Sequence, residues 1–176
     1  MNLNEAVGLL SPQQEWPEQA TRWADLGCGS GLFTYALAQF LPQGSTIYAA
    51  DKAMPALKPL ANPNKVNIEP VRLDFIREDW PFRDLDGILM ANSLHYVADK
   101  PGFIQKLQSC LKPAHQLILV EYDTEVGNPW VPYPVSFNRL SDLMIPAGYE
   151  AVRKLAERPS VFGPRMIYSA SAAKCI

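Results

Sequence analysis

The stretch Asp25-Leu26-Gly27-Cys28-Gly29-Ser30-Gly31-Leu32-Phe33-Thr34 constrains this chain most. It follows an apolar run, Trp23 to Leu26, that ends a strand. It precedes a helical pattern with Phe33, Leu37, Phe40 and Leu41 on one face. Three glycines at alternate positions between strand and helix make a tight turn over which main chain can approach a ligand closely. A turn that merely needs glycine is the plainer explanation, but three alternating glycines after an acid make it the poorer one.

The rest of the chain repeats this strand-then-helix rhythm. Asn4 to Leu10 predicts a short helix. Ser11 as N-cap, Pro12 at the first helical position and Gln14 closing a capping box predict a second, running to about Gln19. Strands follow at Arg22–Leu26, at Thr46–Ala50 with Asp51 at its carboxyl end, and at Val66–Leu73. Pro70 removes a ladder donor, which suits an edge strand. Between the latter two strands, Met54–Leu60 is expected as a short helix despite Pro55 and Pro59.

Leu85–Ala91 is a fourth strand. Asp99 and Pro101 start a helix that carries Phe103, Ile104, Leu107 and Leu111 inward until Pro113 stops it. Gln116–Glu121 is a fifth strand. An irregular stretch, Tyr122–Pro134, leads to a helix at Ser136–Ala147 with Gly148 just past its end. Two last strands, about Tyr149–Leu155 and Met166–Ser171, flank a turn at Gly163-Pro164. Strands alternating with helices are the pattern of a doubly wound α/β sheet.

The 176 residues are enough for one domain and hardly two. Net charge is −2, with no basic block, which argues against nonspecific nucleic-acid or membrane-surface binding. The three cysteines, Cys28, Cys110 and Cys175, are scattered and odd in number. They fit reduced thiols in a cytoplasm, not a disulfide framework or a zinc site, and no metal is expected. Met1 to Glu5 lacks the basic and apolar regions of a signal peptide, and no apolar run approaches the ~18 residues of a membrane span.

The glycine turn discriminates among ligands. A dinucleotide fingerprint needs a small third residue, Gly-x-Gly-x-x-Gly/Ala. From Gly27 that position is Leu32; from Gly29 it is Thr34. A phosphate loop needs Gly-Lys followed by Ser or Thr, which is absent. What remains is acid-x-Gly-x-Gly-x-Gly, with Asp51 about twenty residues on, where a carboxylate holds a ribose.

That pattern resembles the first motif of the class I, Rossmann-like S-adenosylmethionine-dependent methyltransferases. Nearly the whole chain shares the resemblance. Asp51 matches the acid after strand two, Asp74-Phe75 the pair after strand three, and Trp80-Pro81-Phe82 the Pro-aromatic segment beyond it. Asp86 to Val97 is similar to the motif-four region of small-molecule methyltransferases, and Ala147-Gly148-Tyr149 to the family's Ala-Gly-aromatic signature. The resemblance implies a mostly parallel, doubly wound, seven-stranded sheet with a last antiparallel strand. It implies S-adenosylmethionine as cofactor and S-adenosylhomocysteine as product.

It also assigns roles. Gly27, Cys28, Gly29 and Gly31 would offer main chain to the methionine part and sugar, and Asp25 would support the cationic amino group, directly or through water. Asp51 would accept both ribose hydroxyls. Asp74 would accept from the adenine amine while the Phe75 main chain meets a ring nitrogen. Asn92 and Ser93 complete the expected cofactor set. Lys52 departs from the pattern, since an apolar residue often packs on adenine there; its stem can cover the ring with the ammonium in water.

Asn92-Ser93-Leu94-His95 is not the Asn-Pro-Pro-Tyr tetrad of enzymes that methylate nucleic-acid amines. His95 is a candidate general base, set against a plain packing role below the pocket. His115 is expected at the surface. Tyr96, Glu121, Tyr122, Trp130 and Tyr133 are candidates for the acceptor pocket. Arg139 and Arg165 are cations that could meet an acceptor carboxylate, without a signal that separates them from ordinary surface arginines. The expected activity is methyl transfer to a small-molecule acceptor in the cytoplasm. A silent cofactor- or partner-binding module of the same fold, a protein methyltransferase and a nicotinamide dehydrogenase remain open, as does the oligomeric state.

Overall fold

Apolar side chains alternate along the central strands, and that alternation divides the core into two layers. In the computed structural model, which describes residues 1–10, 15–160 and 164–174, the strands are β1 (Arg22–Leu26), β2 (Thr46–Asp51), β3 (Asn67–Arg72), β4 (Leu85–Ala91), β5 (Leu111–Tyr122), β6 (Ala151–Pro159) and β7 (Met166–Lys174). The helices are α1 (Leu3–Leu10), α2 (Leu32–Ala38), α3 (Lys100–Gln108) and α4 (Phe137–Met144), with a 3-10 turn at Leu94–Tyr96. Ala24, Ile88, Met90, Leu117 and Leu119 face a layer built with Phe103, Ile104 and Leu107 of α3 and Leu140 and Met144 of α4. Their neighbours Trp23, Leu89, Ile118 and Val120 face the opposite layer, with Ala6 and Leu9 of α1 and Phe33 and Leu37 of α2.

The seven strands lie in the order β3-β2-β1-β4-β5-β7-β6. Six run parallel, and β7 runs antiparallel between β5 and β6. The expected Rossmann-like sheet is thus present, and Pro70 sits on an edge strand as expected. Strand order reverses at β1, between β2 and β4, which opens a crevice at the carboxyl ends of β1 and β4. Among the described residues no helix is long and apolar enough to cross a membrane.

Several expected boundaries move. The second helix was expected from Pro12 to Gln19; residues 11–14 lie outside the described residues, and residues 15–20 are not helical. Met54–Leu60 is irregular instead of helical: Pro59 interrupts any helix there, and the Lys58 N–H donates to Ser30 O at 3.0 Å across the glycine turn. α2 ends at Ala38, so Phe40 and Leu41 lie past it; Phe40 stacks on Trp16 at 4.4 Å. α3 stops at Gln108, and Leu111 and Pro113 belong to β5, because Leu111 pairs with Leu85 before the register shifts. α4 covers only Phe137–Met144, capped by Ser136. The turn expected at Gly163-Pro164 lies partly outside the described residues, as does Cys175.

His115 is buried, not at the surface. Its Nε2 lies 3.1 Å from the Tyr149 hydroxyl and its Nδ1 2.6 Å from Lys112 O. Burial lowers its pKa, against the raising effect of the Lys112 and Pro113 carbonyls.

Candidate functional site

The crevice over β1 and β4 is shaped first by the glycine turn. The N–H groups of Gly27 and Cys28 both donate to Ala50 O, at 2.8 and 3.0 Å, so the turn is pinned to the end of β2. Cys28 O accepts from Gly31 N–H at 2.9 Å, so much of the hydrogen-bonding capacity of the Cys28 main chain is used inside the turn. Gly27 has φ +83°, and a Cβ there would stand 2.6 Å from Ser93 Cβ, so only glycine lets β1 and the β4 end approach this closely. Gly29 (φ +54°) faces open space. Its N–H donates to Asp51 Oδ2 at 2.9 Å, which fixes that carboxylate across the mouth of the crevice.

Asp25 lies beneath the turn, fully buried. Thr34 Oγ1 donates to its Oδ2 at 2.6 Å, while Oδ1 has no partner among the described residues. Burial pushes its pKa up to about 7; the Thr34 hydrogen bond opposes this and the Asp51 charge adds to it. Burial, with Asp25 and Asp51, also pushes the Cys28 thiol up, which leaves it a neutral, unreactive thiol.

The far side of the crevice is the loop after β3. Burial works to raise Asp74, but the N–H groups of Arg77 and Ile76, with the Lys52 ammonium, outweigh it and hold the carboxyl below its usual value. Lys52 Nζ lies 3.6 Å from Asp74 Oδ2, with its side chain largely in solvent. Phe75 O accepts from Trp80 Nε1 at 2.9 Å and Lys106 Nζ at 3.1 Å, whereas no described residue accepts from Phe75 N–H. Lys106 also donates to Glu78 O at 2.7 Å and lies over the Trp80 ring, so one ammonium gathers this loop.

These parts enclose a cavity of about 730 Å³ lined by Gly27, Asp51, Lys52, Asp74, Phe75, Asn92, Ser93 and Tyr96, among others. Its size is that of a small-ligand site. Ser93 Oγ donates to Leu26 O at 2.6 Å, which locks its wall to the end of β1. Asn92 adopts φ +54°, a conformation asparagine tolerates, and its buried Oδ1 has no partner among the described residues.

A second cavity, about 710 Å³, lies beside the first and shares Asn92 and Tyr96 with it. His95, Tyr122, Trp130 and Arg165 also line it. Trp130, one of these lining residues, is 78% exposed. Tyr133, expected here, lines the first cavity instead. Glu121, expected as a pocket wall, is fully buried beneath His95. Its Oε1 accepts from His95 N–H at 3.1 Å, and its Oε2 lies 2.7 Å from His95 Nδ1. An ionised Glu121 places the imidazole proton on Nδ1 and leaves Nε2 as the ring's acceptor. Glu121 as the partner of His95 was not legible from sequence, since the two are 26 residues apart.

No curated protein matches the chain. YcgJ from Bacillus subtilis is similar in structure at 12% identity and TM-score 0.71, covering 98% of this chain and 99% of that one. A SAM-dependent methyltransferase from Aquifex aeolicus is similar at 16% identity and TM-score 0.61, covering 99% and 100%. The Burkholderia thailandensis 1,6-didemethyltoxoflavin-N1-methyltransferase, solved with 1,6-didemethyltoxoflavin and S-adenosylhomocysteine, is similar at 19% identity and TM-score 0.68, covering 99% and 78%. At such identities the likeness is one of fold. The family model described as a methyltransferase domain matches residues 4–165. With that match spanning nearly its whole length, the chain belongs to the methyltransferase domain family, on the class I, Rossmann-like fold of the S-adenosylmethionine-dependent enzymes.

Proposed function

We propose that this chain transfers a methyl group from S-adenosylmethionine to a small-molecule acceptor, and that its 176 residues form one catalytic domain. The observation that carries this reading is the shared wall: two cavities of similar size meet at Asn92 and Tyr96, and His95 lines the second. The Burkholderia enzyme of similar fold bears the name of a small-molecule substrate, which supports the acceptor class.

The first cavity fits the cofactor on its own features. Asn92 Oδ1 is a buried polar atom on its wall without a partner among the described residues, as is Asp25 Oδ1 beneath the turn, outside the lining; Phe75 N–H is unspent, and the Gly27 contact leaves no room for a side chain. Asp51 would accept from the ribose hydroxyls, and each such bond to a charged group is worth about 1.5–3 kcal/mol. Asp74 and Phe75 N–H would take the adenine edge, with the Lys52 stem beside it. Gly27, Asn92 and Ser93 line this cavity, and with Cys28, Gly29 and Gly31, which follow in the same turn but are not among the lining residues, they would stand along the methionine part, with Asp25 beneath the turn supporting its amino group.

When bound, S-adenosylmethionine would supply the methyl group, with a neutral thioether as its leaving group. The chain's own work is to orient and to move a proton. Glu121 fixes the imidazole by both carboxylate oxygens, so His95 Nε2 is ready to take the proton of an acceptor hydroxyl or amine. Tyr96, Tyr122 and Trp130 would offer aromatic surface to the acceptor. Holding both reactants in register can supply about 7–11 kcal/mol of the barrier.

The test is transfer of labelled methyl to a panel of aromatic and aliphatic hydroxyls and amines, with native chain and His95→Gln. Turnover that drops about 100-fold in the variant, with S-adenosylhomocysteine affinity unchanged, supports the reading. Tight S-adenosylhomocysteine binding without transfer to any acceptor, or transfer to protein alone, would overturn it.

A further inference from the structure

We infer that the acceptor is an aromatic molecule carrying an anionic oxygen group, a carboxylate or a phosphate, bound by Arg165; this rests on the reading that the 710 Å³ cavity takes the acceptor. Among the described residues that line that cavity, Arg165 is the one permanently charged residue, and none is Asp or Glu. Its guanidinium has no hydrogen bond or ion pair with any described residue. Arg158 is engaged with Glu5 at 2.9 Å, Arg72 with Glu78 at 3.0 Å and Arg83 with the carbonyls of Trp80 and Phe82; of the arginines whose guanidinium has no side-chain partner among the described residues, Arg165 is the one that lines this cavity. A guanidinium at a cavity wall without a partner is a fork of donors suited to a carboxylate or phosphate.

The acids close by in the fold are spent. Asp123, whose N–H donates to Met166 O beside Arg165, accepts from Phe137 N–H at 2.9 Å and lies 3.6 Å from Lys154 Nζ. Glu121 is buried and holds His95 with both oxygens. Arg139, the other arginine able to meet an acceptor carboxylate, lines a different depression with Lys100, Glu125 and Asp142.

The layout also sets the ligand's length. Asn92 and His95 follow β4, whereas Arg165 precedes β7, two strands away across β5. Two strand spacings are roughly 10 Å. The reacting hydroxyl or amine thus belongs at the Asn92–His95 end, beside the first cavity, and the anion at the Arg165 end. Tyr96, Tyr122 and Trp130, which also line the cavity, offer aromatic walls for a planar ring.

The experiment measures equilibrium binding, not turnover. The full chain is saturated with S-adenosylhomocysteine at neutral pH and low salt. It is then titrated calorimetrically with two matched pairs, 3,4-dihydroxybenzoate against catechol and phenyl phosphate against phenol. We expect at least one anion to bind about tenfold or more tightly than its neutral partner, and the pair that discriminates identifies the carboxylate or the phosphate. Arg165→Gln should bring that ratio to about twofold or less without changing affinity for the neutral probe, and Arg165→Lys should fall between. Equal affinity for anion and neutral probe, discrimination that survives Arg165→Gln, or no binding of either anion would each overturn the inference alone. Failure of the native chain to bind S-adenosylhomocysteine would overturn the functional reading, and this inference with it.

Discussion

Glu121 grips His95 twice, with Oε1 on the main-chain N–H at 3.1 Å and Oε2 on the ring Nδ1 at 2.7 Å. Both residues are buried, so solvent does not compete for the pair. The carboxylate therefore fixes both the position of the 3-10 turn and the tautomer of the imidazole.

Glu121→Gln tests that relationship. An amide can donate to Nδ1 and move the ring proton to Nε2, which removes the acceptor from the cavity side. We expect kcat to fall by about 10- to 100-fold, while S-adenosylhomocysteine affinity stays within about twofold. Steady-state kinetics on an identified acceptor and calorimetry make the check. An unchanged kcat would leave the pair a packing device.

Asp25 carries a pH signature. Its folded-state pKa, raised by burial to about 7, lies above the ordinary value of 3.8. Between those two values the folded chain holds a proton that the unfolded chain has lost, so this group's contribution falls as pH rises from about 4 to 7. Asp25→Asn removes the effect while still accepting from Thr34. The stability of the variant relative to the native chain should rise with pH across that window, by an amount on the order of 4 kcal/mol in full. Urea unfolding at several pH values reads the difference; a flat difference would contradict it.

The contact between Gly27 and Ser93 should behave as a coupled pair. Gly27→Ala places a Cβ 2.6 Å from Ser93 Cβ at a positive φ, and we expect a loss of about 2–4 kcal/mol. Gly29→Ala meets open space and should cost only its left-handed conformation, about 1–2 kcal/mol. Ser93→Gly added to Gly27→Ala should recover about 1 kcal/mol or more, visible as non-additivity in a double-mutant cycle. Additive losses would show that the two positions do not press on each other.

Much of the fold was legible because its signals are local. Arg22–Leu26 and Leu85–Ala91 are short apolar runs bounded by turn residues, and both strands have the expected limits. Asp51 and Asp74 stand at strand ends because parallel strands deliver their carboxyl ends to one edge of the sheet. What escaped depends on distant partners. Met54–Leu60 is held by Lys58 on Ser30, not by its own periodicity. His115 is buried because Tyr149 reaches its ring from 34 residues away. Glu121, inside β5, meets His95 because β4 and β5 are neighbours in the sheet, and Tyr133 reaches the first cavity because the stretch after β5 folds back. Asn128 turns it by accepting from Trp130 and Val131 N–H, and Tyr133 N–H donates to His95 O.

The most direct measurement is calorimetric titration of S-adenosylhomocysteine into the native chain and Asp51→Asn, with NAD as control. Asp51 lines the first cavity and is aimed by Gly29 N–H, so its charge should hold the ribose. We expect S-adenosylhomocysteine to bind, NAD not to bind, and the variant to weaken the former about tenfold or more, some 1.4 kcal/mol. Binding of NAD alone, no binding of either, or an Asp51→Asn variant with native affinity would contradict the assignment of this cavity.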